Sequence, residues 1–235
     1  MADGLEALQI LRMFLGKKWL MSINNITVKL IESNAKIEQD INLAASIEVN
    51  KKIKRNVRKV EKKLTIATKN WILGSPEVTS LKEEGVFYSL NAQFGFPLGF
   101  SDSAVEAVAN AVASSVRVRL KRFDIKLKTG GVEFFVQPSN FANLLGLPEA
   151  VLQTSTSSLP WLDWLLLKGD TIIVARYGVK YKGGTGRSGQ ATMKLNYNAP
   201  YKVDSQFSGT STNNFITESI ESANDEIMGI LARYI

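Results

Sequence analysis

The chain contains no Cys and no His, which removes thiol nucleophiles, Cys/His zinc sites, imidazole bases and a Ser-His-Asp triad in one step. Carboxylate, Lys, Tyr or hydroxyl chemistry remains. Asp163 and Asp170 are the nearest approach to a general acid/base pair. Seven residues apart, across the end of a predicted helix, they read instead as a helix-surface and a turn residue. Ser and Lys are plentiful, yet no spacing singles out a Ser-Lys dyad. The segment KGGTGRSGQ at 182–190 has the glycine content of a phosphate cradle. It lacks the Lys-Ser/Thr pair of a P-loop, and the ATMKLNY that follows reads as a strand rather than as the helix whose N-terminus would hold an anion. We read it as a hairpin tip whose Arg187 reaches a neighbouring subunit, with a plain solvent-exposed turn as the alternative. The expectation is a protein without catalytic residues, cofactor, metal or small-molecule substrate.

The strongest chemical feature is charge. Lys51, Lys52, Lys54, Arg55, Arg58, Lys59, Lys62 and Lys63 stand against a single acid, Glu61, so this one segment carries the +7 of the whole chain. It lies inside Asn24–Leu73, a stretch without Pro or Gly that predicts one helix of roughly 75 Å at about 1.5 Å per residue. Ile53, Val57, Val60, Leu64, Ala67 and Trp71 step by four and three, a heptad seam, and the basic residues occupy the other faces. Ile26, Leu30, Ile37, Ile41 and Ala44 follow another register, so the stripe slips between about Ala45 and Ile53. A seam of about three heptads is short for an independent coiled coil. It therefore needs a packing partner, expected outside the chain's own fold. The basic face has three readings: a solvated helix surface, a surface for an acidic protein, or a row of cations tracking a phosphate backbone. Aromatics that could stack on bases are absent from Lys51 to Lys63, which disfavours single-stranded nucleic acid.

The remaining elements follow from periodicity and punctuation. Leu5, Leu8, Leu11, Leu15 and Trp19 predict a short amphipathic helix, too interrupted by charge for a signal peptide or membrane span. Gly74-Ser75-Pro76 ends the long helix, and a loop-rich passage leads to Phe100. A helix capped by Ser101 or Asp102 runs to about Arg122. Ile125–Lys128 and Val132–Gln137 flank Thr129-Gly130-Gly131 as a hairpin. Ser139 caps a short helix ended by Gly146, and Pro160 opens the helix WLDWLLLKG, whose Trp161, Trp164, Leu165 and Leu166 read as core. Strands at Thr171–Tyr181 and Ala191–Tyr197 follow, and Thr212 or Asn213 caps one terminal helix through Leu231. The expected class is α+β, a small mostly antiparallel sheet flanked by helices. The expected division is a helical arm over residues 1–75 and a globular body over 76–235.

The segments SNFANLLGLP at 139–148, WLDWLLLKGD at 161–170, GRSG at 186–189 with ATM after it, and FSGTSTNNFITESI at 207–220 give this chain, over roughly residues 100–235, a pattern that resembles tailed-bacteriophage virion proteins of the neck and tail-completion group. The resemblance implies a structural protein of the virion, assembled in the host cytoplasm. It implies a homo-oligomeric ring at the head-to-tail junction or upper tail, with other neck, connector or tail proteins as partners and nonspecific contact with DNA in the channel. The long basic helix departs from the shorter family pattern. The alternative from the residues themselves is a nucleic-acid-associated protein whose basic helix follows phosphates.

Overall fold

The computed structural model describes residues 22–23, 26–27, 32–136, 141–155, 157–182, 186–198 and 200–234. The amphipathic helix expected over Leu5–Trp19, and Ser139 as a cap, lie outside these. The described residues fall into two compact units, one within the ranges 1–54 and 121–131, the other within 55–120 and 132–235.

In the first unit, β1 (Ser22–Ile23) pairs antiparallel with β2 (Ile26–Thr27), and the long helix α1 (Asn34–Leu73) begins ten residues later than the Pro/Gly-free stretch suggests. β-branched Ile26 and Thr27 suit a strand. Ser33 supplies the start signal, its hydroxyl accepting the Lys36 N–H at 3.3 Å. The apparent phase slip has a physical answer. Ser46 and Ile53 are buried and Asn50 half-buried, so the seam continues N-terminally through polar residues, in steps of four and three. The Asn50 amide donates to the Phe123 carbonyl at 3.0 Å and its oxygen accepts the Phe123 N–H at 2.8 Å, while Leu43 and Ile47 stay 40% and 57% exposed.

The loop across 122–130 replaces the expected hairpin arm at 125–128. Asp124 closes it, its N–H donating to the Thr129 carbonyl and its carboxylate accepting the Lys128 N–H at 2.8 Å. Gly130, at φ 139°, passes so close to Phe123 that a Cβ would fall 2.5 Å from its Cα, a conformation and an approach that only glycine allows.

In the second unit α1 meets its partner, and it is the chain itself. Val60 and Leu64 are buried with Val116, Val118 and Ile227, and Val57 and Trp71 pack onto the same cluster. This corrects the expectation that the seam must find shelter elsewhere. After Gly74 the chain restarts as α2 (Pro76–Lys82), capped by Ser75, and α3 (Leu90–Phe94), capped by Ser89, in a passage that reads as loop from sequence. Helix α4 (Phe100–Ser114) buries Ala104, Val105, Val108, Ala109 and Val112. It stops at Ser114, not Arg122, and β3 (Arg117–Lys121) follows. A strand buries Val116 and Val118 together and turns Arg117 and Arg119 outward, whereas a helix would set Val116 and Val118 on opposed faces. β3 pairs with β4 (Gly131–Phe135).

Next come the short α5 (Ala142–Leu145), the pair β5 (Leu152–Gln153) and β6 (Ser158–Leu159), and α6 (Trp161–Leu167). As expected, Trp161, Leu165 and Leu166 are core, with the Trp161 Nε1 donating to the Glu149 carbonyl at 2.7 Å. β7 (Tyr177–Tyr181) pairs antiparallel with β8 (Ala191–Leu195), Tyr177 opposite Leu195 and Tyr181 opposite Ala191. The expected strand residues before Tyr177 reduce to a bridge between Val174 and Tyr201. The terminal helix is two, α7 (Phe215–Ser222) and α8 (Asn224–Tyr234), with Asn214 rather than Thr212 or Asn213 forming the capping box with Thr217. The class is α+β. Its strands, however, pair two by two among the described residues instead of joining one sheet.

Candidate functional site

A lysine or arginine loses its hydration if buried unpaired, and a helix turning about 100° per residue gives such residues a whole side on which to avoid that. All eight basic residues of 51–63 are exposed, on roughly the half of α1 opposite the buried seam. Only Lys51 has an ion pair among the described residues, to Glu48 at 3.5 Å with both side chains largely in solvent. Glu61, the lone acid of the run, does not neutralise its neighbours. Its carboxylate accepts the Val118 N–H at 2.9 Å, satisfying the open edge of β3. Lys52, Lys54, Arg55, Arg58, Lys59, Lys62 and Lys63 are left as uncompensated positive charge. Ile66, half exposed, sits on the same side of the helix, an aliphatic group among cations that the heptad pattern does not flag.

Trp71 is engaged at home, its Nε1 donating to the Glu226 carboxylate at 2.7 Å. Arg187 likewise turns inward. Its Nη2 donates to the Phe94 carbonyl at 3.3 Å and its guanidinium lies over Gly95, covering a carbonyl that the end of α3 leaves free. The residues around it, Gly186–Gly189, close a turn that leads into β8, a strand. Asp163 and Asp170 are separate surface partners, of Lys168 at 3.5 Å and Lys202 at 3.3 Å.

No family model, curated protein or solved structure matches the chain. Its surfaces must therefore be read on their own chemistry. Among the described residues no cluster of Asp or Glu is arranged to hold a metal ion, and no helix is long and apolar enough to cross a membrane. Burial pushes the Tyr181 hydroxyl up to about 12, with Asp204 and Tyr88 adding to it, and pushes Tyr201 higher still. Both remain neutral phenols at physiological pH.

Two further surfaces went unrecognised in the sequence. On the hairpin β7–β8, the apolar face fades from buried Ala191 to exposed Tyr177, Met193 and Leu195, with Tyr197 just beyond at 67% exposure. On β3–β4, Arg119 lies 5.1 Å over the ring of exposed Phe135. Their signal in the sequence is alternation, but alternation alone does not say which face is covered.

Proposed function

We propose that this chain is a non-enzymatic structural component of a tailed-phage particle, a ring-forming protein at the neck or upper tail whose basic helix face engages acidic protein neighbours. The carrying observation is the row of seven cations on α1 that have no ion pair among the described residues, on the side away from a seam that is itself satisfied. A helix so anchored presents its charges in fixed positions, at a low entropic cost for a partner that matches them. The exposed apolar strip of Tyr177, Met193, Leu195 and Tyr197 supports the same reading, since contiguous apolar surface marks protein contact. The resemblance of residues 100–235 to neck and tail-completion proteins supplies the setting.

Purified at high concentration and imaged by negative-stain electron microscopy, the chain is expected to form closed rings of one size, and labelled particles are expected to carry it at the head-to-tail junction. A chain that stays monomeric, or that labels another part of the particle, overturns the reading. The Arg119–Phe135 pair favours a second reading, contact with nucleic acid, because an exposed ring backed by a cation can stack on a base. Titration with duplex DNA and with single-stranded DNA, whose bases are free to stack, separates the two. Seven phosphate contacts predict a slope of log affinity on log salt of about −6 on duplex and about −5 on single strands, and a flat response on both removes that reading.

A further inference from the structure

The second unit also holds uncompensated negative charge. A cleft of about 710 Å³ runs between the end of α1 with the turn after it and the helices α7 and α8. Its rim carries Glu218, Asp225 and Glu226, its wall carries Glu77, and the apolar groups between them include Trp71 and Phe215. No Lys or Arg lines it, and none of these four acids has an ion pair among the described residues. Glu77 is the unusual member. It is only 6% exposed, whereas Glu218, Asp225 and Glu226 stand in solvent. A carboxylate in that position lacks the cation that would offset its burial. The cleft is far larger than an ion needs, and its acids are not arranged to hold a metal.

One chain thus displays two complementary unspent surfaces, cations around an exposed isoleucine and carboxylates around an aromatic floor. We propose that the acidic cleft receives the basic face of α1 from a second copy of this chain, Arg58, Lys59, Lys62 and Lys63 meeting its carboxylates and Ile66 meeting Trp71 and Phe215. The proposal rests on the ring-forming reading above and names the contact that builds the ring. A surface and its complement on the same molecule at different places give a head-to-tail contact, which closes when the rotation per subunit divides the circle. Identical copies always supply the two surfaces in equal number.

Sedimentation velocity on the full chain tests this. Wild type is expected to exceed the mass of one chain at low salt and to approach it when salt shortens the screening length to about 3 Å, near 1 M. The variant Lys59→Glu/Lys62→Glu/Lys63→Glu and the variant Glu218→Lys/Asp225→Lys are each expected to weaken self-association by about tenfold or more. An equimolar mixture of the two is expected to restore it, because each swapped surface then faces its opposite. Should either variant lose its helical circular dichroism, the neutral versions Lys59→Gln/Lys62→Gln/Lys63→Gln and Glu218→Gln/Asp225→Gln must weaken association in its place. Wild type that assembles while both variants assemble equally well, or a mixture that fails to recover, overturns the cleft contact and leaves the ring standing. Wild type that is a monomer at every salt and concentration overturns both.

Discussion

Asn50 shows how one polar side chain can hold a helix where apolar packing lapses. Its amide both donates to and accepts from the backbone of Phe123, so Asn50→Ala leaves two half-buried backbone groups without their partner. The expected loss is about 1–3 kcal/mol, read as a lower midpoint in urea with an unchanged slope. Glu77 is the opposite case, a buried carboxylate with no ion pair among the described residues. Burial holds its carboxyl above the ordinary carboxylate range, with Glu218 adding to this and its own backbone N–H opposing. The charged form is thus the costly one. At pH above the raised folded value the penalty is fully present, and it disappears as pH falls through that value toward the unfolded one. Glu77→Gln is therefore expected to raise Tm at neutral pH, with the advantage over wild type shrinking as the buffer is acidified toward the unfolded carboxylate value. An advantage that is flat with pH would show that the burial cost is not electrostatic. None of this is legible in sequence, because both residues sit among ordinary helix and turn composition, and only their neighbours make them special.

Helix α1 has two sides with separable jobs. Leu64 is fully buried in the cluster with Val116, Val118 and Ile227, so Leu64→Ala is expected to cost about 2–5 kcal/mol, measurable by thermal or urea unfolding. Replacing Lys59, Lys62 and Lys63 with Gln is expected to leave Tm within a few degrees while weakening self-association and flattening its salt dependence, since exposed cations without partners contribute little to folding. If the triple Gln variant unfolded as readily as Leu64→Ala, the charges would have a structural role and the division of labour would fail. The same element shows where pattern reading works. The seam from Ile53 to Trp71 and its charged opposite face follow from a 3.6-residue period, and the fold keeps both. What covers the seam is a matter of long-range contact, with Val116 and Val118 more than fifty residues away. The passage from Val112 to Leu120 failed for a related reason. Val112, Val116 and Leu120 fit one face of a helix while Val116, Val118 and Leu120 fit one face of a strand, and the choice fell to which arrangement could bury Val118 against α1.

At the scale of the whole molecule, the order of periodic segments and turn signals was enough to set an α+β class, while the absence of Cys and His and the concentration of charge in one helix directed attention to surfaces. The core helix WLDWLLL, the antiparallel β7–β8 pair and the break at Gly74 were likewise in the letters, because turn residues and local periodicity act over a few positions. A molecule with opposed charge surfaces is also expected to be least soluble at low ionic strength, where attraction between copies is least screened, and more soluble as salt rises. Turbidity against ionic strength reads this directly, and solubility that falls steadily with added salt would point instead to the apolar strip on β7–β8. By itself the sequence determined where the cations lie, which faces are apolar and which residues start and stop most elements, since these depend on spacing along a single helix or strand. Tertiary structure alone decided that the seam of α1 is covered by its own chain, that Glu61, Trp71 and Arg187 bond inward, and that Glu77, Glu218, Asp225 and Glu226 converge on one cleft. Those outcomes depend on which distant segments meet, and the free energy of such meetings belongs to the packed whole and not to any local run of residues.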